Sequence, residues 1–283
     1  MVVGFIGLGH QGTPMAERMI GAGLRPWLWA RRAEVLHRYR DADAVIAATP
    51  TELGAACDLI GLCMYDAAAT DAVLFGDGGI VEAIRPGTVI AVHATTGPAY
   101  VRELGARLAG HGVAVVDAPV SGGDEPAAAG ELLVIVAGDE AACAACAPMF
   151  ATYSNKVVNV GALGNAQLAK LLNNGVMTAE AGLVFDAFAL GEAHGLDPLQ
   201  LGEVMSHGSA ACFALDVYRG LGSSELFSIR AYPTLHKDVA LIGEIAVGTP
   251  VEDGMLVTGA AATIAEMARQ RAGYETARRG ERS

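Results

Sequence analysis

An apolar run at the start of the chain, Val2–Ile6, passes directly into Gly7-Leu8-Gly9-His10-Gln11-Gly12 and then into a helix-forming stretch near Thr13-Pro14-Met15. A G-x-G-x-x-G pattern between a strand and a helix constrains the local backbone more tightly than any other segment of the sequence. Gly7 permits the tight turn, Gly9 lets the main chain approach a pyrophosphate, and Gly12 allows close packing of helix on strand. The helix N-terminus adds unpaired N–H groups and positive potential. Leu8, His10 and Gln11 fill the same turn, so all six residues are candidate cofactor contacts. The other reading is a glycine-rich turn with no ligand. Its place at the first turn of a βαβ unit favours a dinucleotide.

The adenosine ribose is read at the end of the second strand, where an NAD site carries Asp or Glu about 20 residues beyond the glycines. Here Trp27-Leu28-Trp29 ends in Ala30-Arg31-Arg32, and the first acid is Glu34. Guanidinium groups bind a 2′-phosphate through charge-assisted forks, whereas a carboxylate would repel it. Arg31 and Arg32 therefore favour NADP(H) over NAD(H). The alternative is that one arginine stacks on the adenine or faces solvent.

Short apolar runs alternate with helical stretches through the first half, with strands expected at 2–6, 26–30, 59–64, 88–93 and 113–117. Two further runs, 132–137 and 156–160, could extend the sheet with mixed direction. Such alternation specifies a parallel sheet covered by helices. Beyond Gly161 helical periodicity takes over. One unusually long helix is expected from about Asn165 to Ala193, closed near Gly195 with Pro198 beyond. Further helices are expected at 198–206, 233–247 and 252–273, and the polar stretch 271–283 is expected to fray. The fold class is α/β, an N-terminal Rossmann-type doubly wound sheet followed by an all-helical C-terminal domain, joined by a long helix. The expected domains are 1–162, binding NADP, and 163–283, helical.

Composition narrows the function classes. Hydrophobic residues make up 52% and charged residues 18% of 283, which excludes a disordered or collagenous chain. The net charge of −12, with no basic run before the Arg-rich tail, speaks against nucleic acid as a partner. Five irregularly spaced cysteines do not form a disulfide framework. Cys143 and Cys146 form a CxxC without a second pair, so they read as helix packing, and no metal site is expected. The most apolar long stretch, Gly175 to Ala193, contains Glu180, Asp186 and Glu192, which argues against a membrane span. The chain opens on a strand without a leader pattern, so a cytoplasmic location is expected.

Two other segments carry chemistry. Asp117-Ala118-Pro119-Val120-Ser121-Gly122-Gly123 follows a strand, at the end of the sheet where ligands bind. Its hydroxyl and exposed N–H groups suit a carboxylate, although an ordinary loop would read the same way. In Gly161-Ala162-Leu163-Gly164-Asn165-Ala166-Gln167-Leu168-Ala169-Lys170-Leu171-Leu172-Asn173-Asn174, Lys170 and Asn174 are four residues apart and share a helix face. A desolvated lysine has its pKa lowered toward the range useful for proton transfer. The bland reading is a lysine that snorkels to solvent. The chain holds only three lysines, Lys156, Lys170 and Lys237, against sixteen arginines. A guanidinium cannot act as a base, so each lysine is a candidate for a place where arginine would not serve.

These segments together resemble the β-hydroxyacid dehydrogenase family of the 3-hydroxyisobutyrate dehydrogenase type. The resemblance runs from Val3 to about Ile242. It is carried in order by GFIGLGHQGTPMA (4–16), DAPVSGG (117–123), GALGNAQLAKLLNN (161–174) and KDVAL (237–241). It implies that Lys170 is the catalytic acid/base, that Ser121, Gly122, Gly123 and Asn174 hold a small carboxylate substrate, and that Lys237 lies near cofactor or substrate. Ala94-Thr95-Thr96-Gly97-Pro98 is similar to the family loop near the nicotinamide, which assigns Thr95 there. The turn Met64-Tyr65-Asp66 resembles the loop over the adenosine. The same family resemblance assigns substrate binding and dimerisation to 163–283. The implied partners are a β-hydroxy acid or its semialdehyde and further copies of the chain, as homodimer or homotetramer.

Gln11, Tyr65, Ala94, Pro126 and Ala166 depart from the family pattern and alter the pocket wall rather than the proposed chemistry. Two other readings share the fingerprint. One is an imine reductase-like enzyme, against which Lys170 argues. The other is a non-catalytic NADP-binding scaffold or sensor, whose expected loss of the lysine or substrate loop is not seen.

Overall fold

Strand β1 (Val3–Ile6) is buried on both faces, and its side chains divide between two apolar layers. Val3 and Phe5 pack with Met15, Met19, Leu28 and Phe150, whereas Ile6 packs with Leu53, Ile60 and Leu62. Gly4 faces the second layer, where a Cβ would come within 2.7 Å of Leu53 Cδ2. A strand buried on both sides reads as a continuous apolar run, which is why the sequence shows it so clearly. In this computed structural model residues 1–280 are described. Contacts divide the chain into two compact units, Met1–Lys170 and Leu171–Ser283.

In the first unit, α1 (Gly12–Gly21) leads to β2 (Trp27–Trp29), β3 (Val45–Ile46), α2 (Pro50–Ala56), β4 (Leu59–Leu62) and α3 (Ala67–Phe75). There follow β5 (Val89–Val92), α4 (Pro98–Ala109), β6 (Ala114–Asp117), β7 (Val120–Ser121), α5 (Asp124–Ala129), β8 (Leu132–Gly138), α6 (Glu140–Tyr153) and β9 (Ser154–Asn159). The sheet order is β3-β2-β1-β4-β5-β6-β8-β7, with β9 on β8. Neighbours are parallel from β3 to β6, and β8 runs antiparallel to both β6 and β7. The strand order reverses at β1, so the Gly7–Gly12 turn lies at the switch point where α/β sheets open a ligand crevice. The expected mixed direction is thus found at β8. The two-residue strands β3 and β7 carry too little pattern to stand out in the sequence.

Helix α7 (Asn165–Ala193) begins in the first unit, continues into the second, and is closed by Gly195 in a left-handed conformation, φ +80°. The second unit continues with α8 (Pro198–His207), α9 (Phe213–Leu221), α10 (Ser224–Ala246) and α11 (Met255–Gly280). Gly175 and Gly182 let α7 approach α10 and α11, since a Cβ would come 2.9 Å from Ile242 Cδ1 at Gly175 and collide with Thr263 at Gly182. Phe185 meets Phe227 edge-on at 5.3 Å between ring centroids, beside Ala181, Leu235 and Met267.

Three expectations for this region need correction. Helix α9 was not anticipated, because its N-cap Cys212 supplies no side-chain cap and leaves no start signal. Helix α10 begins at Ser224 rather than at 233, because the Ser223 hydroxyl accepts from Leu226 N–H at 3.2 Å and caps it there. Pro233, which invites reading as a helix start, lies inside the helix at the cost of one backbone bond. Helix α11 starts at Met255 rather than 252 and runs on to Gly280, so 271–280 is helical. There the Arg271 guanidinium lies 4.9 Å from the Tyr232 ring centre, and an Arg271–Glu275 pair bridges one turn. Residues 281–283, the rest of that expectation, lie outside the described residues.

Candidate active site

Gly7 sits at φ +103°, and a Cβ there would collide with the Cys63 carbonyl. At Gly12 a Cβ would collide with the Gly7 carbonyl, so both glycines are required by the turn itself. Gly9 differs, because a Cβ built on it meets nothing within 4 Å. That open side faces no protein atom, as close approach of a pyrophosphate requires. Leu8, Gly9 and His10 line a cavity of about 750 Å³ together with Thr13, Glu17, Arg32, Glu34, Arg38, Asp124 and others. This size and mixed-charge lining fit the adenosine end of a dinucleotide. Arg32 lines the cavity, whereas exposed Arg31 is not among its lining residues. Arg38, which stands 3.5 Å from Glu17, reaches it through a short 3₁₀ turn, Ala33–Tyr39, that sequence periodicity did not reveal. Met64 is half-buried and Tyr65 exposed after β4, where the Asp66 carboxylate caps α3 by accepting from Ala69 N–H at 2.7 Å.

The loops after β5 and β6 are held from below. His93, fully enclosed, hydrogen-bonds the Ala118 carbonyl through Nδ1 at 2.7 Å and the Tyr153 hydroxyl through Nε2 at 3.2 Å. Burial pushes its pKa down to about 4, so the ring is neutral at pH 7. Thr95 is partly exposed, and the buried Thr96 Oγ1 has no hydrogen-bond partner. An orphaned hydroxyl beside Thr95 suits a site that completes its bonds on binding a polar ligand. Ser121 is half-buried, and Gly122 and Gly123 are exposed at φ +139° and +93°, conformations that favour glycine. Gln11 donates from Nε2 to the Gly123 carbonyl at 3.1 Å, so this departure from the family pattern ties the fingerprint turn to the Ser-Gly-Gly loop.

Lys170 is 8% exposed, so nearly all of the residue lies out of solvent. Three residues earlier, Gln167 is fully buried and bonded to Asp117, which ends β6. The Asp117 carboxylate also accepts backbone N–H bonds from Gly164 and Ala166, so an anion sits at the start of α7. Burial pushes the Asp117 pKa up to about 6 against the lowering effect of these bonds. One turn after Lys170, in the second unit, Asn174 donates from Nδ2 to Asp238 Oδ2 at 2.6 Å. Lys237 Nζ donates to Asp238 Oδ1 at 2.7 Å. Asp238 is fully buried and thus fixes both the amide and the ammonium. The sequence displayed the Lys-Asp pair as a motif but did not reveal which group it would orient. Among the described residues there is no group of three or more His, Cys, Asp or Glu that could hold a metal, and no helix long and apolar enough to cross a membrane.

A doubly wound sheet with this glycine turn at its switch point, followed by helices carrying a buried lysine and amide, defines a dinucleotide-dependent oxidoreductase. Residues 2–161 match the model of the NAD binding domain of 6-phosphogluconate dehydrogenase. Residues 164–278 match that of the NAD-binding domain of NADP-dependent 3-hydroxyisobutyrate dehydrogenase. The chain belongs to the β-hydroxyacid dehydrogenase family of the 3-hydroxyisobutyrate dehydrogenase type. It is 36% identical to L-threonate dehydrogenase of Cupriavidus necator over 206 residues, 72% of this chain and 69% of that one. It is 32% identical to the NAD-dependent L-serine dehydrogenase of Pseudomonas aeruginosa, over 76% of this chain and 72% of that one. Among solved structures it resembles Mycobacterium tuberculosis 3-hydroxyisobutyrate dehydrogenase with L-serine, at TM-score 0.80 and 25% identity, covering 95% and 94% of the two chains.

Proposed function

We propose that this chain catalyses reversible hydride transfer between NADP(H) and a short β-hydroxy acid or its semialdehyde, with Lys170 as general acid/base. The observation that supports this most is a nearly fully buried lysine in the second turn of α7, one turn from an Asn174 amide held by Asp238. The nicotinamide, when bound, supplies the hydride chemistry. Gly7 to Gly12 hold the pyrophosphate; Arg31, Arg32, Met64 and Tyr65 serve the adenosine side; Thr95 and Lys237 serve the nicotinamide side. Ser121, Gly122 and Gly123 anchor the substrate carboxylate through one hydroxyl and main-chain N–H groups. Asn174 orients the reacting oxygen with the Nδ2 proton not engaged by Asp238. In oxidation neutral Lys170 Nζ takes the hydroxyl proton; in reduction the ammonium returns it to the developing alkoxide. What the chain contributes is chiefly positioning and a proton at the right atom.

The experiment is a panel of carboxylate-bearing aldehydes and small imines with NADPH and NADH, monitored by loss of the reduced nicotinamide. At least one aldehyde is expected to be reduced, with NADPH the better donor. Binding of NADPH without turnover of any member would favour the scaffold or sensor reading. Turnover of imines alone would favour an imine reductase.

A second copy of the chain is the proposed partner. Leu168, Leu172, Val176, Leu183 and Leu190 are all exposed on α7, Leu183 by 68%. Spacings of four and seven residues place them along one stripe of the helix. A solvent-exposed stripe this long marks an interaction surface, and the homodimer or homotetramer would cover it. Replacing both Leu183 and Leu190 with Glu is expected to yield monomers by light scattering. An unchanged oligomer would remove this stripe from the interface, and a monomeric parent would refute the assignment.

A further inference from the structure

Gln167 offers four hydrogen-bonding positions, and every one is used inside the first unit. Its Nε2 donates to Asp117 Oδ1 at 2.7 Å and to the Ala94 carbonyl at 3.0 Å. Its Oε1 accepts from Thr96 N–H at 2.8 Å and Gly97 N–H at 3.2 Å. Its own main-chain N–H donates to Asp117 Oδ2 at 2.9 Å. A flipped amide would set NH₂ against two N–H groups and oxygen against a carbonyl and a carboxylate, so the orientation is fixed. Gln167 and Asp117 are both fully buried, where unpaired groups are costly. This side chain thereby fastens loop 94–97 to the opening of α7, and Asp117 is the residue from which the Ser-Gly-Gly loop departs.

We propose that Gln167, oriented by Asp117, is a positioning residue for the reaction, setting the loop that carries Thr95 against the first turn of α7 and hence relative to Lys170. The proposal rests on the hydride-transfer reading above. Gln167 acts through its neighbours, and its effect falls on the arrangement of reacting groups rather than on pyrophosphate or carboxylate binding. A small displacement of such groups is enough to cost catalysis. No aliphatic side chain reproduces this clamp, because it would strand two N–H groups and a carbonyl. An isosteric carboxylate at 167 would face Asp117 directly, and two carboxyl groups that close cannot both ionise. The Cys143 thiol, pushed up by burial and by the charges of Asp139 and Asp117, is a titratable group that feels Asp117 as well.

The test uses Gln167→Leu and the isosteric Gln167→Glu in the full chain, with kcat expressed per NADPH-binding site so that misfolded protein does not count. Gln167→Leu is expected to lose about 10- to 100-fold in kcat, with NADPH affinity and substrate KM within about threefold. Gln167→Glu is expected to recover kcat relative to the parent as pH falls and the carboxyl pair takes up a proton, so that the ratio of variant to parent kcat rises toward low pH. Hydrogen exchange at Thr96 and Gly97 is expected to be slow in the parent and faster in Gln167→Leu. A parent that reduces aldehydes while both variants keep kcat within about threefold at every pH overturns the positioning role alone. Rapid exchange of those two amides in the parent also overturns it. A parent inactive on every aldehyde overturns the hydride-transfer reading, and with it the catalytic purpose assigned here, whatever the exchange shows.

Discussion

Lys170→Ala is expected to lower kcat by about 10²- to 10⁴-fold, the range contributed by a positioned general acid or base. The binding of NADPH should stay within about threefold, because the pyrophosphate cradle and the cavity at Arg32 lie on other elements of the same unit. Lys170→Arg should be nearly as inactive, since a guanidinium stays charged at any relevant pH and cannot take the hydroxyl proton. That variant separates the need for a titratable amine from the need for a cation. Lys170 is buried, so each variant must be shown folded by its thermal transition before its rate is interpreted. Retention of kcat within about tenfold in Lys170→Ala would remove Lys170 from the chemistry.

The second large effect concerns the cofactor. Arg32→Ala is expected to lower kcat/KM for NADPH by about 10- to 100-fold, the worth of one or two hydrogen bonds to a charged group. The value for NADH should change by less than about threefold, so the ratio of the two reports on the 2′-phosphate alone. Arg31→Ala is expected to have the smaller effect, because Arg32 and not Arg31 lines the cavity. Arg38 lines it as well, but its pairing with Glu17 offsets part of its charge. Saturation of the parent by NADH but not by NADPH would contradict the arginine argument. An unchanged ratio in Arg32→Ala would move the 2′-phosphate to another residue.

Which features the sequence made legible follows from range. The glycine turn, the strands buried on both faces and the 29-residue helix α7 are written in contiguous residues, and the structure has them where the pattern puts them. Strands β3 and β7 have two residues each and carry no period, so they emerge only when neighbouring strands supply the hydrogen bonds. Helix α10 shows a local signal that misleads, because Pro233 resembles a helix start while the cap at Ser223 sets it. At the site, residue types with chemical meaning stood out: Lys170, Asn174, Lys237 and the Ser-Gly-Gly loop. What oriented them did not. Asp117 meets Gln167 across 50 residues, Asn174 meets Asp238 across 64, and Gln11 meets Gly123 across 112, pairings that no local pattern encodes. The same holds for Arg38, whose reach to the cavity depends on a 3₁₀ turn.

The scarcity of lysine can be reconsidered in this light. Lys170 is enclosed and Lys237 is paired to a fully buried carboxylate, while Lys156 is exposed on β9. For Lys170 the proposed requirement is a proton that can leave. At Lys237 a compact ammonium fits beside Asp238, so geometry is a sufficient reason.

The most direct test of hydride transfer is isotopic. NADPH deuterated at the transferring position of its nicotinamide is incubated with the parent enzyme and the best carboxylate-bearing aldehyde, and the product is weighed by mass spectrometry. The account predicts a hydroxy acid one mass unit heavier, with deuterium on the carbon that bears the new hydroxyl. A product without deuterium, or no reduction of any carboxylate-bearing aldehyde by folded protein that binds NADPH, would contradict it.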